Sequence, residues 1–323
     1  MAKKILLTGI SGFIGRNIAR QLIQKKDEIT ALIRPGTSLS RVAEFQKKVN
    51  FVQMDLADIP KLRDYLDHNN FDTILHIGAV RGGRKFPKHT YFDANVNATE
   101  QLILNAMKHE TDFLFCSSVG VFGAIPQKLP ADNRTEMQED NYYHYTKIRC
   151  EALIQKYVLY GLKAAIIRPS ITYGPGDFGF PFSLTKMIHR NLFVLPNKEV
   201  KIHLSHIDLI VQGFLKLMES NYRSGEAFIV ADKDPVNLLD LADFISKEIK
   251  GKEFPHYRLL PEWCFRFPET FFKKMKNELW VSRFELISRS WYYDVSDTYN
   301  KLPLKEVQTI PAFKIITDWY RKK

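Results

Sequence analysis

The chain has 323 residues, 45% of them hydrophobic and 26% charged, with a formal net charge of +11. This is an ordinary globular composition, and the length suits one large α/β domain with a smaller partner, which excludes a disordered or fibrous chain. No apolar run approaches the ~20 residues that a membrane-spanning helix needs. Cys116, Cys150 and Cys264 are too few for a disulfide framework, and no metal-ligand spacing joins them, so no metal site is expected. The opening residues MAKKILL run straight into an apolar strand and leave no room for a signal peptide, so the expected location is cytoplasmic. Lys and Arg are spread along the chain, with a local excess near the C-terminus. They read as a solvated basic surface with an anionic cofactor or small-molecule substrate, and no nucleic-acid partner is expected.

Residues 4–18, KILLTGISGFIGRNI, set the organisation. Ile5, Leu6 and Leu7 form a run without polar alternation, the mark of a strand buried on both faces. Gly9, Gly12 and Gly15 follow at even spacing, and Phe13, Ile14, Ile18, Leu22 and Ile23 then share a helix face. Strand, glycine turn and helix make a dinucleotide-binding unit, because a pyrophosphate needs backbone N–H groups with no side chain in the way. Further strands are predicted at 28–33, 50–53, 73–77, 112–116 and 164–167. Helices are predicted at 39–45, after a cap at Asp58, at 92–108 and at 142–160. This alternation predicts an α/β fold, a Rossmann-type doubly wound parallel sheet over residues 1–170. Beyond Arg168 the pattern loosens around Pro169, Gly174, Pro175 and Gly176, with strands at 200–204 and 227–230 and helices at 207–218 and 238–249. Residues 171–323 are read as mostly a smaller substrate-binding domain, with segments near 200–230 returning to the sheet.

Two stretches carry candidate chemistry. Tyr143 and Lys147 stand four apart on a predicted helix, one turn from each other on one face. An ammonium beside a phenol favours the phenolate, so the expectation is a lowered pKa and a tyrosine able to exchange the proton that accompanies hydride transfer. Ser117 and Ser118 follow the predicted strand DFLFC, whose carboxyl end faces the ligand crevice of such a sheet. One serine there can bond a substrate oxygen, while the other caps a turn. Asn95 lies inside a predicted helix, where Asn is a poor former, which suggests a buried Asn that holds a water.

In chain order, T-G-I-S-G-F-I-G at 8–15, Asp55-Leu56, H-I-G-A at 76–79, N-V-N-A-T at 95–99 and S-S-V-G-V-F-G at 117–123 make an ordered set. Tyr143-x-x-x-Lys147, R-P-S-I-T-Y-G-P-G at 168–176 and H-I-D at 206–208 complete it. The set resembles the extended branch of the short-chain dehydrogenase/reductase superfamily, the epimerases, dehydratases and reductases. The resemblance implies that Gly9, Gly12, Phe13, Ile14 and Gly15 cradle the pyrophosphate and that Asp55, beside Leu56, bonds the adenine amine. It implies Tyr143 as acid/base, Lys147 on the nicotinamide ribose, Ser118 on the reacting carbonyl, Asn95 on a proton-relay water and Tyr173 at the substrate's edge. It also implies a homodimer through two helices of the Rossmann-type domain.

The chain departs from that pattern in four places. Val119 and Gly120 stand where 4,6-dehydratases carry an Asp-Glu pair, which argues against that activity. Phe122 replaces a tyrosine, and Asn141 replaces a proline two before the catalytic tyrosine. Arg34 replaces the acidic residue that ends strand two. A guanidinium pairs with a 2′-phosphate that a carboxylate repels, so Arg34, with Ser38 or Arg41, favours NADP; NAD with Arg34 stacked on adenine is the alternative. Arg81, Arg84 and Lys85 fall in a loop that faces the substrate in relatives, where they would meet a phosphate or carboxylate. Residues 259–272 resemble the C-terminal region of reductases and of 3β-hydroxysteroid-dehydrogenase-like members. Their aromatics Trp263, Phe265, Phe267, Phe271 and Phe272 are read first as core packing. The other readings are an apolar substrate pocket or, with Arg266, Lys273, Lys274 and Lys276, contact with an anionic membrane surface. The function expected is NAD(P)-dependent oxidoreduction with Tyr143 as acid/base; the alternatives are a nucleotide-sugar epimerase with tightly held NAD and a non-catalytic dinucleotide sensor.

Overall fold

The computed structural model describes residues 2–81, 86–275 and 277–323. Strands β1 (Lys4–Thr8), β2 (Glu28–Ile33), β3 (Asn50–Gln53), β4 (Thr73–His76), β5 (Asp112–Cys116) and β6 (Ala164–Pro169) join the edge strand Glu226–Val230 in one sheet. The spatial order is Glu226–Val230, β6, β5, β4, β1, β2, β3, and every pair is parallel. Chain order reverses on either side of β1, which opens a crevice at the carboxyl ends of β1 and β4. Ile5, Leu6 and Leu7 are wholly buried, Ile5 and Leu7 in the core on one face of the sheet and Leu6 in the core on the other. Helices α1 (Phe13–Gln24), α2 (Ile59–Asp67), α3 (Lys88–Phe92), α4 (Ala98–Lys108) and α5 (Tyr142–Val158) make the crossovers of the first half. Asp58 caps α2 by accepting from Lys61 N at 3.3 Å, and Asn141 caps α5 by accepting from His144 N at 2.9 Å.

The helix expected at 39–45 is two short 3₁₀ turns, Leu39–Arg41 and Ala43–Phe45. The helix expected at 92–108 is interrupted by a π-helical turn, Asp93–Asn97, between α3 and α4. The chain returns to the sheet through Glu226–Val230. The segment near 200 does not: Lys201–Ile202 pairs with Val236–Asn237, and Leu204–His206 pairs with Ile171–Tyr173, in separate two-stranded ribbons. These ribbons share a second core with α6 (Phe180–His189), α8 (Leu238–Lys250) and the C-terminal helix Thr309–Arg321, while α7 (Ile207–Leu217) packs on α1. Helices α9 (Trp263–Lys274) and α10 (Glu278–Ser288) form a hairpin against each other.

Candidate active site

The carboxyl ends of the parallel strands bring the predicted residues to one edge of the sheet. At β1 the chain turns through Gly9, with φ at +80°, and Gly12 N donates to Gly9 O at 2.9 Å. A Cβ on Gly15 would lie 2.3 Å from Gly9 O, so only glycine lets α1 come so close to the turn. No side chain caps the start of α1 and its first turn holds no acid, so its leading N–H groups are free to meet an anion. Phe13 and Ile14 pack their side chains against the core. These features fit a dinucleotide pyrophosphate.

A hydrogen-bonded chain ties this turn to α5. Gly78 N donates to Thr8 Oγ1 at 2.8 Å; Thr8 Oγ1 lies 2.7 Å from His76 Nδ1, and His76 Nε2 lies 3.0 Å from Thr99 Oγ1. Thr99 donates its hydrogen to Asn95 O at 2.5 Å, so it accepts from His76 Nε2–H, and His76 Nδ1 accepts from Thr8. Burial, aided by the charge of Lys147, holds His76 down to about 3, so the ring is neutral. Asn95 is buried in the π-helical turn. Its Oδ1 accepts from Val80 N at 2.7 Å, and its Nδ2 donates to Val80 O at 3.0 Å and Thr146 Oγ1 at 2.9 Å. Thr146 in turn donates to Tyr143 O at 2.7 Å. Both amide hydrogens of Asn95 are thus engaged. Asn95 is therefore a post that fixes α5 to the loop after β4.

At the end of β5 the two serines separate. Ser117 is buried and donates to Glu151, which also pairs with Arg168 through Nε at 3.1 Å and Nη2 at 2.5 Å. Ser117 is therefore part of the framework. Ser118 Oγ accepts from Gly120 N at 3.0 Å, capping the short turn Val119–Phe122, and its own hydrogen has no acceptor among the described residues. Capping and substrate contact are compatible in that one hydroxyl. Lys147, 2% exposed, donates to Cys116 O at 2.6 Å and stands 4.4 Å from the Phe115 ring centre and 6.0 Å from that of Tyr143. Two of its hydrogens are left for a ligand. The expected fall in the Tyr143 pKa is corrected: burial pushes it up, Lys147 and Arg81 pull it down, and burial wins.

His144 escaped the sequence reading. Its Nδ1 bonds the Asp140 carboxylate and lies 2.8 Å from Asn141 Nδ2, and its ring centre is 5.7 Å from that of Tyr143. Burial raises Asp140, but the bonds from His144 and Ala124 N outweigh it and hold the carboxyl below its usual range. A Cβ on Gly120 would lie 2.2 Å from His144 Nε2, so the imidazole fills the space beside Gly120. The i, i+4 acid–histidine spacing was the available signal.

The remaining candidates divide. Arg81 is exposed, and its charge reaches both Tyr143 and Asp177, so it faces the site; Arg84 and Lys85 lie outside the described residues. Arg34 is exposed at the end of β2, and no side-chain partner engages it among the described residues. Ser38, offered as its helper, bonds Ser40 at 2.7 Å. Asp55 Oδ1 accepts from Ala57 N at 3.0 Å, and Leu56 packs on the core beneath α2 and α4. Tyr173, expected at the substrate's edge, is wholly buried: it donates to Asp232 at 2.6 Å and stacks on Phe313 at 5.6 Å. It is a core residue, and the substrate assignment is corrected. Among the described residues no group of His, Cys, Asp and Glu is placed to hold a metal ion.

Sheet order, uncapped helix start and buried lysine define a Rossmann-type enzyme that works with a nicotinamide dinucleotide. Comparison with known proteins makes this specific. The profile of the NAD dependent epimerase/dehydratase family matches residues 5–231, and the chain belongs to that family. It is 25% identical to UDP-glucose 4-epimerase from Vibrio cholerae over 96% of this chain and 93% of that one. It is 24% identical to the chloroplast stem-loop binding protein of 41 kDa b from Arabidopsis thaliana over 92% of this chain and 79% of that one. The crystal structure of UDP-glucuronic acid 4-epimerase from Bacillus cereus in complex with NAD matches with a TM-score of 0.76 at 19% identity, covering 99% of each chain.

Proposed function

We propose that the protein reduces a substrate carbonyl to a hydroxyl, with Tyr143 as the proton donor and NADP as the preferred cofactor. One observation carries this reading: Tyr143 opens α5 with Lys147 one turn behind it, on the sheet edge that also holds the glycine turn. Gly9, Gly12 and Gly15 with the start of α1 would hold the pyrophosphate, and Asp55 the adenine. The nicotinamide, when bound, supplies the hydride. Ser118 donates its unused hydrogen to the reacting oxygen, and Tyr143 gives that oxygen a proton. Lys147 limits the cost of the phenolate left behind and has hydrogens for a ribose hydroxyl. Burial outweighs Lys147 and holds the Tyr143 phenol in its protonated form, which suits a donor. The exposed Arg34 supports NADP, and Arg81 supports a substrate with a phosphate or carboxylate.

The second reading is nucleotide-sugar epimerisation, favoured by the likeness to UDP-glucose 4-epimerase over nearly the whole chain. Native mass spectrometry of the purified protein separates the two. A reductase comes out empty and consumes added NADPH with keto-sugar nucleotides as probes; an epimerase comes out loaded with NAD and interconverts sugar nucleotides with none added. Consumption of NADPH that persists in Tyr143→Phe overturns the assignment of the proton donor.

A further inference from the structure

Helix α9 is built inside out. Glu269 is 4% exposed and points inward, where it accepts from Lys273 at 2.8 Å and from Arg289 at 2.7 and 2.9 Å. Trp263, Phe267 and Phe271, with Met275 just beyond the helix end, recur every fourth residue, and all four are exposed, Trp263 to 69% and Phe267 to 77%. Such spacing makes one continuous stripe along the helix. The stripe continues onto α10: Phe272 stacks on Trp280 at 5.5 Å and on Phe284 at 5.9 Å, and Trp280 is itself exposed. Scattered exposed aromatics need no explanation, but a contiguous apolar patch over two helices does.

We propose that the α9–α10 hairpin docks on an anionic membrane surface, with its aromatic stripe at headgroup depth. Charge selects this occupant. From residue 259 to 289 the chain holds six basic and four acidic residues. Glu262, Glu269 and Glu285 are all ion-paired, Glu262 with Arg266 and Lys198, so exposed Lys274 and Arg283 are the hairpin's cations without an ion-pair partner among the described residues. Arg283 lies over the Trp280 ring at 4.8 Å, a cation beside an interfacial aromatic. Lys274 shares the outward face with Phe267 and Phe271 and has no ion-pair partner among the described residues. Seated against a protein face, that ammonium would need a counter-charge to offset its burial. At a lipid surface its stem lies along the aromatics and the ammonium reaches a phosphate. No described helix is long and apolar enough to cross a membrane, so the contact lies in the plane of the surface.

Co-sedimentation of the full chain with phosphatidylcholine vesicles, plain or containing about one-third phosphatidylglycerol, tests this. The chain is expected to pellet with the anionic vesicles and to be released by salt. The double variant Phe267→Ser, Phe271→Ser is expected to lose about tenfold in partitioning, and Lys274→Glu to lose the preference for the anionic vesicles. Both variants should keep the wild-type melting temperature and cofactor binding, which separates lost docking from lost folding. A wild-type chain that ignores both vesicles, or a double variant that binds them as well as wild type, overturns the proposal. So does a wild-type dimer, indifferent to vesicles, that the double variant converts to monomer, because the stripe is then covered by a second copy.

Discussion

Helices α5 and α9 both turn charge inward, and they differ in what that charge meets and in what the opposite face carries. On α5 the buried Glu151 is matched by Arg168 and Ser117, while the buried Lys147 meets a carbonyl and two rings but no carboxylate. On α9 the buried Glu269 is matched twice over, by Lys273 and Arg289. A matched charge is framework, as its ion pair satisfies it. An unmatched one is costly to keep, and Lys147 keeps its place where a ligand with hydroxyl groups and a phenolate would use it. The outward faces also part: α5 shows water Arg149, Gln155 and Lys156, whereas α9 shows it Trp263, Phe267 and Phe271. Polarity inside thus supports the proposed reaction site on one helix, and apolarity outside the proposed membrane contact on the other.

Substitutions break this comparison in graded steps. Tyr143→Phe removes the proposed proton donor and keeps the fold; turnover is expected to fall about a thousandfold with an unchanged melting temperature. Arg168→Met leaves the Glu151 carboxylate buried and unpaired and is expected to cost about 3–5 kcal/mol in denaturant unfolding, where Tyr143→Phe costs little. Lys147→Met is expected to slow turnover about a hundredfold and to raise the Tyr143 pKa further, since Arg81 alone then opposes burial. In the oxidative direction, which needs the phenolate, its pH–rate profile moves to higher pH. Arg34→Glu is expected to shift the proposed preference for NADP toward NAD about tenfold, read as the ratio of the two kcat/KM values.

A further test is a pH dependence. His76, held down to about 3 in the folded chain against an ordinary 6.5, takes up its proton more readily when unfolded. The unfolded state therefore binds more protons below about pH 6.5, and stability drains away as pH falls toward 3. His76→Gln lacks that term, so its stability deficit against wild type should narrow between about pH 7 and pH 4 in melting experiments.

The sheet was legible in the sequence because two-sided burial leaves unbroken apolar runs such as Ile5 to Leu7, and the glycine turn because a close helix admits no Cβ at Gly15. The pairing of Tyr143 with Lys147 follows from helix period alone. What escaped depends on distant segments. Tyr173 is taken into the core by Asp232, Phe313 and Thr309, which no local pattern ties to it. The Tyr143 pKa is set by burial under the assembled fold, while the spacing displayed only the ammonium four residues away. No helix was expected over residues 259–272, and the inward face of α9 was decided by Arg289, twenty residues beyond Glu269. The expected core role of the aromatics holds for Phe265, which is buried, and fails for Trp263, Phe267 and Phe271.

Spectrophotometric titration of Tyr143, taken as the difference between wild type and Tyr143→Phe with and without oxidised cofactor, tests the catalytic assignment most directly. The free protein should titrate above the ordinary phenol value of 10. Saturating oxidised cofactor should bring the midpoint down, as the positive nicotinamide ring adds to the charge of Lys147. A midpoint that does not move on saturation would mean that Tyr143 does not stand beside the reacting ring, and would contradict the site described here.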